Sequence, residues 1–413
     1  MKETRKVYLD HSATTPADPR VIAAMLPYLT EKFGNPSSVH SFGQEARAAV
    51  DRARREVAAL IGARANEIVF VSGGTEANNL AIRGLCEATG GANRDFKGHL
   101  ITSSIEHPSL RGISEALEKG GKGSWEITRL PAYEDGIVRI EDVRAALRPE
   151  TMLISVMLAN NEIGTIQPVE EIGALVREER ARGRRQLWLH TDAVQAAGRI
   201  PVNVETLGCD LLSLSAHKIY APKGVGALYI RRGVRLTPQN IGGHQERERR
   251  AGTESVSGIV AFGAAAKLAR EEMDQRSQHE QQLRDRFEAG VTARVKDIVI
   301  NGDPAHRLPH LSNISFRFIE GESLLISLDL QSVAVSTGSA CSSGTLEPSP
   351  VIRALGRNDE LARGAIRFSF GKDNDDSDVD YVLDTLTRVV EKLRRLSPLS
   401  PKTFSQQEVE VLR

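Results

Sequence analysis

Six short runs constrain this chain more than anything else in it: EIVFVS (67–72), HLITSS (99–104), MLISVMLA (152–159), QLWLHT (186–191), DLLSLS (210–215) and VGALYI (225–230). Several are apolar at successive positions, so a strand built from them has two faces to bury. Between the runs lie stretches of helical periodicity. SFGQEARAAVDRARREVAALIGA sets Ala46, Ala49, Val50, Ala53, Val57, Leu60 and Ile61 on one stripe, and Ser41 and Gln44 stand at capping-box spacing at its start. Strands covered on both sides by helices predict an α/β fold with a mainly parallel, doubly wound sheet.

At 413 residues the chain exceeds what one hydrophobic core holds. The pattern changes after a charged helical stretch at 264–291, where NISFRFI, SVAVST and AIRFSFG alternate with helices. We therefore expect a large domain over 15–270 and a smaller α+β domain built from 1–14 and 271–413. The last residues, SPLSPKTFSQQEVEVLR, read as a loosely held tail.

Lys and Arg together number 54, as do Asp and Glu, and this balance argues against a nucleic-acid partner. MKETRKVYLDHSATTP has no apolar leader, and no apolar run is long enough to span a bilayer, so no membrane association is expected. The three cysteines (86, 209 and 341) form no CxxC pair, which points to a reducing compartment and a cytoplasmic protein. His306 and His310 have no companions at metal-ligand spacing, so no metal site is expected.

Ligands of open α/β sheets sit at the carboxyl ends of the strands, and five of those ends carry unusual polar groups. In VFVSGGTEANN, Gly73, Gly74 and Thr75 lie between strand and helix, where backbone N–H groups and a helix N-terminus attract an anion; a plain glycine turn reads the same way. His107 follows the second run. Asp192 and Gln195 follow the fourth, where Asp192 is equally a helix cap or the partner of a protonated ring nitrogen. In LLSLSAHKIYAPKG, Lys218 stands between an apolar strand and Ile219-Tyr220, a setting that favours the neutral amine of a Schiff-base lysine, although a lysine exposed in a loop is the commoner case. Ser215 and His217 beside it add donors for an anion. Arg367 alternates with Ile366 and Phe368 in GAIRFSFG and has the fork to grip a carboxylate; an ordinary surface or interdomain salt bridge reads the same way. An anion cradle, a strand-end Asp, a shielded lysine and a carboxylate-binding Arg are together what pyridoxal 5'-phosphate with an amino-acid substrate requires.

At these residues the chain resembles cysteine desulfurases of the NifS/IscS type, within the class V aminotransferases of pyridoxal-phosphate fold type I. The likeness runs from YLDHSATTPADPRV through FGNPSSVHSFGQEAR, SGGTEANN, NNEIGTIQP, HTDAVQAAG, SAHKIYAPKG and RRAGTES to STGSACSS and IRFSFGK. SAHKIYAPKG followed by STGSAC is the specific pairing, because it joins a cofactor lysine to a sulfur-accepting cysteine.

The resemblance implies that Lys218 carries the cofactor, that His107 stacks on its ring and assists proton transfer, and that Asp192 and Gln195 meet the ring nitrogen and phenolic oxygen. Gly74, Thr75, Ser215 and His217 would hold the phosphate. Thr253 would reach the phosphate of a neighbouring subunit, which implies a homodimer. Asn161 and Arg367 would hold the carboxylate of L-cysteine. Cys341 would take its sulfur as a persulfide, leaving L-alanine, for delivery to an acceptor such as an iron–sulfur scaffold. A selenocysteine lyase or a class V aminotransferase on the same fold is the alternative reading. His11, Ala221, His244 and Glu248 depart from the tyrosine and glycines common in such relatives. The small-residue connection around Cys341 is expected to be poorly ordered, or to hold that thiol away from Lys218, without substrate.

Overall fold

A computed structural model of the chain describes residues 5–90, 97–120, 124–338 and 347–401. Its largest element is a seven-stranded sheet. In spatial order the strands are Ile68–Val71, Gly226–Ile230, Leu211–Ser215, Trp188–Asp192, Thr151–Ser155, Lys97–Ser103 and Ser124–Leu130. Gly226–Ile230 runs antiparallel to both neighbours, and the remaining pairs are parallel.

All six apolar runs of the sequence form strands of this sheet. Their double apolar character has a direct cause, because consecutive side chains enter different cores. Phe70, Ile101, Ile154 and Leu212 belong to one cluster and Val69, Leu100, Leu153 and Leu211 to another. Helices Ser41–Leu60, Val169–Ala181 and Val256–Glu271 contribute to the first, and Gly74–Gly90 and Pro108–Glu118 to the second.

The seventh strand, Ser124–Leu130, was not expected. It lies at the sheet edge, paired on one side only, and Glu126, Thr128 and Arg129 break its apolar pattern. The expected stripe on Ser41–Leu60 is buried throughout, but its cap differs. The N-cap is His40, whose Nδ1 accepts from the Gly43 N–H at 3.3 Å, while Gln44 Nε2 donates to the Val39 carbonyl at 2.8 Å. With Ser41 already inside the helix, the Ser41–Gln44 capping box does not form.

A separate cluster lies around a three-stranded antiparallel sheet of Ala365–Ser369, Leu311–Phe316 and Ile298–Ile300. It buries Phe287 of helix Met273–Arg294 and Val382 and Leu386 of helix Asp376–Leu396, together with Val7 and Leu9 from the start of the chain. Strand Val7–Tyr8 pairs in parallel with Val333–Ala334. Among the described residues no helix is long and apolar enough to cross a membrane.

The segment after Ile241 carries an unusual backbone. Glu246, Arg247 and Glu248 have φ of 46°, 58° and 63°, left-handed values that residues other than glycine rarely adopt. Glu246 is buried and its carboxylate accepts from Arg54 Nη1 at 2.7 Å and Nη2 at 2.6 Å, and from the Phe70 N–H at 2.9 Å. These three bonds hold the strained turn against the edge strand. Two of the four departures noted in the sequence sit here, with His244 Nδ1 and Glu248 Oε1 2.9 Å apart in solvent.

Candidate active site

The carboxyl ends of the parallel strands and the first turn of the chain enclose a cavity of about 300 Å3. Ten of the twelve residues singled out in the sequence line it: Lys218, His107 and Asp192 with Gln195, the group Gly74, Thr75, Ser215 and His217, and Asn161 with Arg367. Thr253 does not. It is exposed and lines a second cavity with Ser72, Glu246 and Arg250. Cys341, and the expectation about its loop, fall outside the described residues.

Lys218 closes a short 3-10 turn after strand Leu211–Ser215, which lifts its side chain from the sheet into the cavity. Its Nζ donates to the carbonyl oxygens of Ser12 at 2.5 Å and Ala13 at 2.7 Å. The side chain is half-buried, as the apolar flanks predicted. Gln195 Nε2 donates to the same Ser12 carbonyl at 3.0 Å.

Asp192 ends its strand buried. No helix follows Asp192, so it closes a turn rather than capping a helix, and its two oxygens have different partners. Oδ1 accepts from the Val194 N–H at 3.0 Å and fixes the turn, whereas Oδ2 accepts from Asn78 Nδ2 at 2.8 Å. Asn78 Nδ2 also donates to Ser109 Oγ at 3.0 Å, and Ser109 reaches His107. His107 caps helix Pro108–Glu118, its Nδ1 accepting from the Ser109 N–H at 3.1 Å and lying 2.8 Å from Ser109 Oγ. With that lone pair committed, the neutral ring carries its proton on Nε2. Burial lowers the His107 pKa; the Asp192 charge opposes this and the Lys218 charge adds to it. His217, at Nδ1 3.1 Å from Thr14 Oγ1, is pushed down to about 4 by burial and by Lys218 and Lys223.

At the phosphate end expected from the sequence, Gly74 opens helix Gly74–Gly90, whose first-turn N–H groups have no partner within the helix. A Cβ on Gly74 would come within 2.9 Å of Val194 Cγ2. Only glycine leaves that cradle open. At the opposite end Arg367 is buried, donating from Nη1 to the Asn161 carbonyl at 2.8 Å and from Nη2 to Asp10 Oδ1 at 2.7 Å. Its Nε has no partner among the described residues.

This donor set fits pyridoxal phosphate. A helix N-terminus with Thr75, Ser215 and His217 suits a phosphate monoester, a buried carboxylate suits a cationic ring N–H, and a shielded amine suits an aldehyde. Sequence reasoning missed the Ser12 and Ala13 carbonyls, Asn78 and Ser109. Asn78 had a signal, since it lies four residues after Gly74 and so on the same helix face. Main-chain carbonyls leave none.

A family model described as aminotransferase class-V matches residues 7–382. The sequence is 50% identical over 394 residues to a protein named cysteine desulfurase IscS from Dictyoglomus turgidum, covering 95% of this chain and 97% of that relative. A solved structure described as a NifS-like protein matches with a TM-score of 0.85 at 34% identity, covering 94% of this chain and 100% of the other. Another, described as SspA in complex with cysteine, matches with a TM-score of 0.76 at 33% identity, covering 89% and 99%.

Proposed function

The chain belongs to the aminotransferase class-V family and is a pyridoxal-phosphate-dependent cysteine desulfurase, and on that premise we propose how its residues divide the work. The reading is carried by the meeting of Lys218, Asp192, His107 and Arg367 in one cavity. When bound, pyridoxal phosphate supplies an electron sink conjugated to the substrate Cα.

Lys218 is the covalent anchor of the cofactor and, once released, the amine that takes and returns the proton at Cα. The Ser12 and Ala13 carbonyls orient that amine. Asp192, held by Asn78, keeps the proton on the ring nitrogen, and Gln195 meets the phenolic oxygen. His107 covers the ring and passes protons through Nε2. Gly74, Thr75, Ser215 and His217 take the phosphate. Arg367 and Asn161 hold the carboxylate of L-cysteine, with Arg367 turning toward it from Asp10. The Cys341 thiolate attacks the substrate sulfur, the Cβ–S bond breaks, and the products are a persulfide on Cys341 and L-alanine.

The working form is a homodimer in the cytoplasm, divided into a large domain over 15–270 and a small one from 1–14 and 271–413. Two features support the dimer. Thr253 is exposed and outside its own chain's cavity, free to serve a second copy. Leu26, Leu29, Phe33, Val39 and Phe42 are all more than half exposed within one short stretch, an apolar surface that a second copy would cover. The persulfide sulfur passes to an acceptor protein such as an iron–sulfur scaffold.

The test adds L-cysteine to the coloured enzyme, with and without a thiol reductant, and assays L-alanine and sulfide. Cys341→Ala should keep the colour and lose desulfuration. Unchanged desulfuration would overturn the role given to Cys341.

A further inference from the structure

Glu162 is 5% exposed and follows Asn161, yet it takes no part in the cofactor or carboxylate contacts described so far. Its main chain is tightly held. Asn160 Oδ1 accepts from the N–H of Glu162 at 2.8 Å and of Ile163 at 3.0 Å, and the Glu162 carbonyl accepts from Asn313 Nδ2 at 3.1 Å.

The side chain reaches two other places. Glu162 Oε2 accepts from Ser349 Oγ at 2.6 Å. The same oxygen faces the Cα of Gly338 so closely that a Cβ there would lie 2.9 Å from it, and Gly338 has φ of +79°. Gly338 and Ser349 stand on either side of residues 339–348, the connection that contains Cys341. One carboxylate therefore bonds the residue after that connection and leaves no room for a Cβ on the residue before it.

Those ends are also tied to the substrate side. The Ser336 and Arg367 main chains bond each other in both directions, at 3.2 and 2.6 Å, and the Gly338 N–H donates to Ser336 Oγ at 3.2 Å. The Arg367 guanidinium in turn donates to the carbonyl of Asn161, the residue before Glu162. Shape alone does not call for a carboxylate here, since an apolar side chain of similar size would fill the space without the cost of burying a charge. An acceptor that holds Ser349 and leaves room for nothing larger than glycine at 338 does account for it.

We infer that Glu162 is a positioning residue for sulfur transfer: its carboxylate fixes Gly338 and Ser349 in the frame of Arg367, so that the connection bearing Cys341 starts and ends at set points relative to the bound carboxylate. This rests on the reading of Cys341 as the sulfur acceptor. It assigns Glu162 no contact with substrate or cofactor.

The test uses the full-length holoenzyme. Glu162→Ala should lower turnover of L-cysteine about 10- to 100-fold with little change in KM, because misplacing a reacting group costs rate rather than binding. Its absorbance change on adding L-cysteine should persist. Iodoacetamide labelling of Cys341, followed by mass spectrometry on both cofactor-free and loaded protein, should change by about threefold or more. Cys86 and Cys209 are buried, with thiol pKa values raised by burial, and do not compete for the reagent.

Glu162→Gln keeps an acceptor and should stay near wild type. Ser349→Asp caps helix Pro350–Ala354 as well as serine does, but sets a second carboxylate against Glu162. It should reproduce the Glu162→Ala loss, and adding Glu162→Gln to it should restore turnover. Ser349→Asp carries the test if Glu162→Ala fails to fold. Unchanged turnover and labelling in these variants, or a loss confined to KM, would overturn the inference. Wild-type desulfuration by Cys341→Ala would instead overturn the reading beneath it, and the two failures are separable.

Discussion

Lys218 Nζ donates to the carbonyl oxygen of Ser12 at 2.5 Å, across 206 positions of sequence. The turn at residues 11–13 thus supplies acceptors for the amine proposed to anchor the cofactor, and it orients that amine without adding a competing side chain.

Lys218→Ala should remove the lysine-linked visible absorbance and reduce desulfuration by about 1,000-fold or more, the loss expected when nucleophile and proton carrier go together. A retained lysine-type spectrum would remove its assigned role. Absorbance scans and L-alanine assays decide the matter.

Asn78→Ala should weaken pyridoxal phosphate binding to the cofactor-free protein about 10- to 100-fold, since a neutral donor to the Asp192 carboxylate is lost. Fluorescence titration reads this directly. Affinity equal to wild type would show that Asn78 does not support Asp192.

Glu106 makes stability depend on pH. Burial pushes its carboxyl up to about 8, the nearby Asp192 charge adds to this, and donation from Ser103 Oγ and the Met157 N–H opposes it. A carboxyl whose folded pKa is raised favours the folded state fully below the ordinary value of 4.5 and loses that contribution as pH rises toward 8. The loss has a slope of at most about 1.4 kcal/mol per pH unit. Urea midpoints from pH 5 to 8 should fall less steeply in Glu106→Gln than in wild type, and parallel curves would refute the assignment.

Glu246→Ala should destabilise the protein by about 3–5 kcal/mol, because it strands the buried Arg54 and the Phe70 N–H together. Denaturant unfolding measures the change. A shift below about 1 kcal/mol, the scale of an exposed pair, would mean the pair is not held in the interior.

Phe42→Asp, alone or with Phe33→Asp, should turn a dimer into a monomer in sedimentation, because the two rings pack 5.7 Å apart on the exposed apolar stretch. A wild-type protein that sediments as a monomer would remove the proposed assembly.

The sheet was legible because each of its inner strands feeds two cores, leaving an uninterrupted apolar run. Ser124–Leu130 escaped notice because Glu126, Thr128 and Arg129 interrupt its apolar run. The polar side chains that meet in the cavity (Lys218, Asp192, His107 and Arg367) could be picked out from strand ends. Groups acting through position could not. The Ser12 carbonyl and the contact of Glu162 with Ser349 are set by tertiary approach between distant segments, for which local sequence has no pattern.

The pairing of Val7–Tyr8 with Val333–Ala334 sets a timetable for biosynthesis. A ribosome delivers residues 7 and 8 long before their strand partners at 333 and 334, and Arg367 later still. The Ser12 and Ala13 oxygens meet their partner Lys218 sooner, but the strand at 7–8 and the Arg367 side of the cavity are completed only by the later residues. A product terminated before residue 333 would carry Lys218 without the strand partner of Val7–Tyr8 and without the Arg367 side of the cavity.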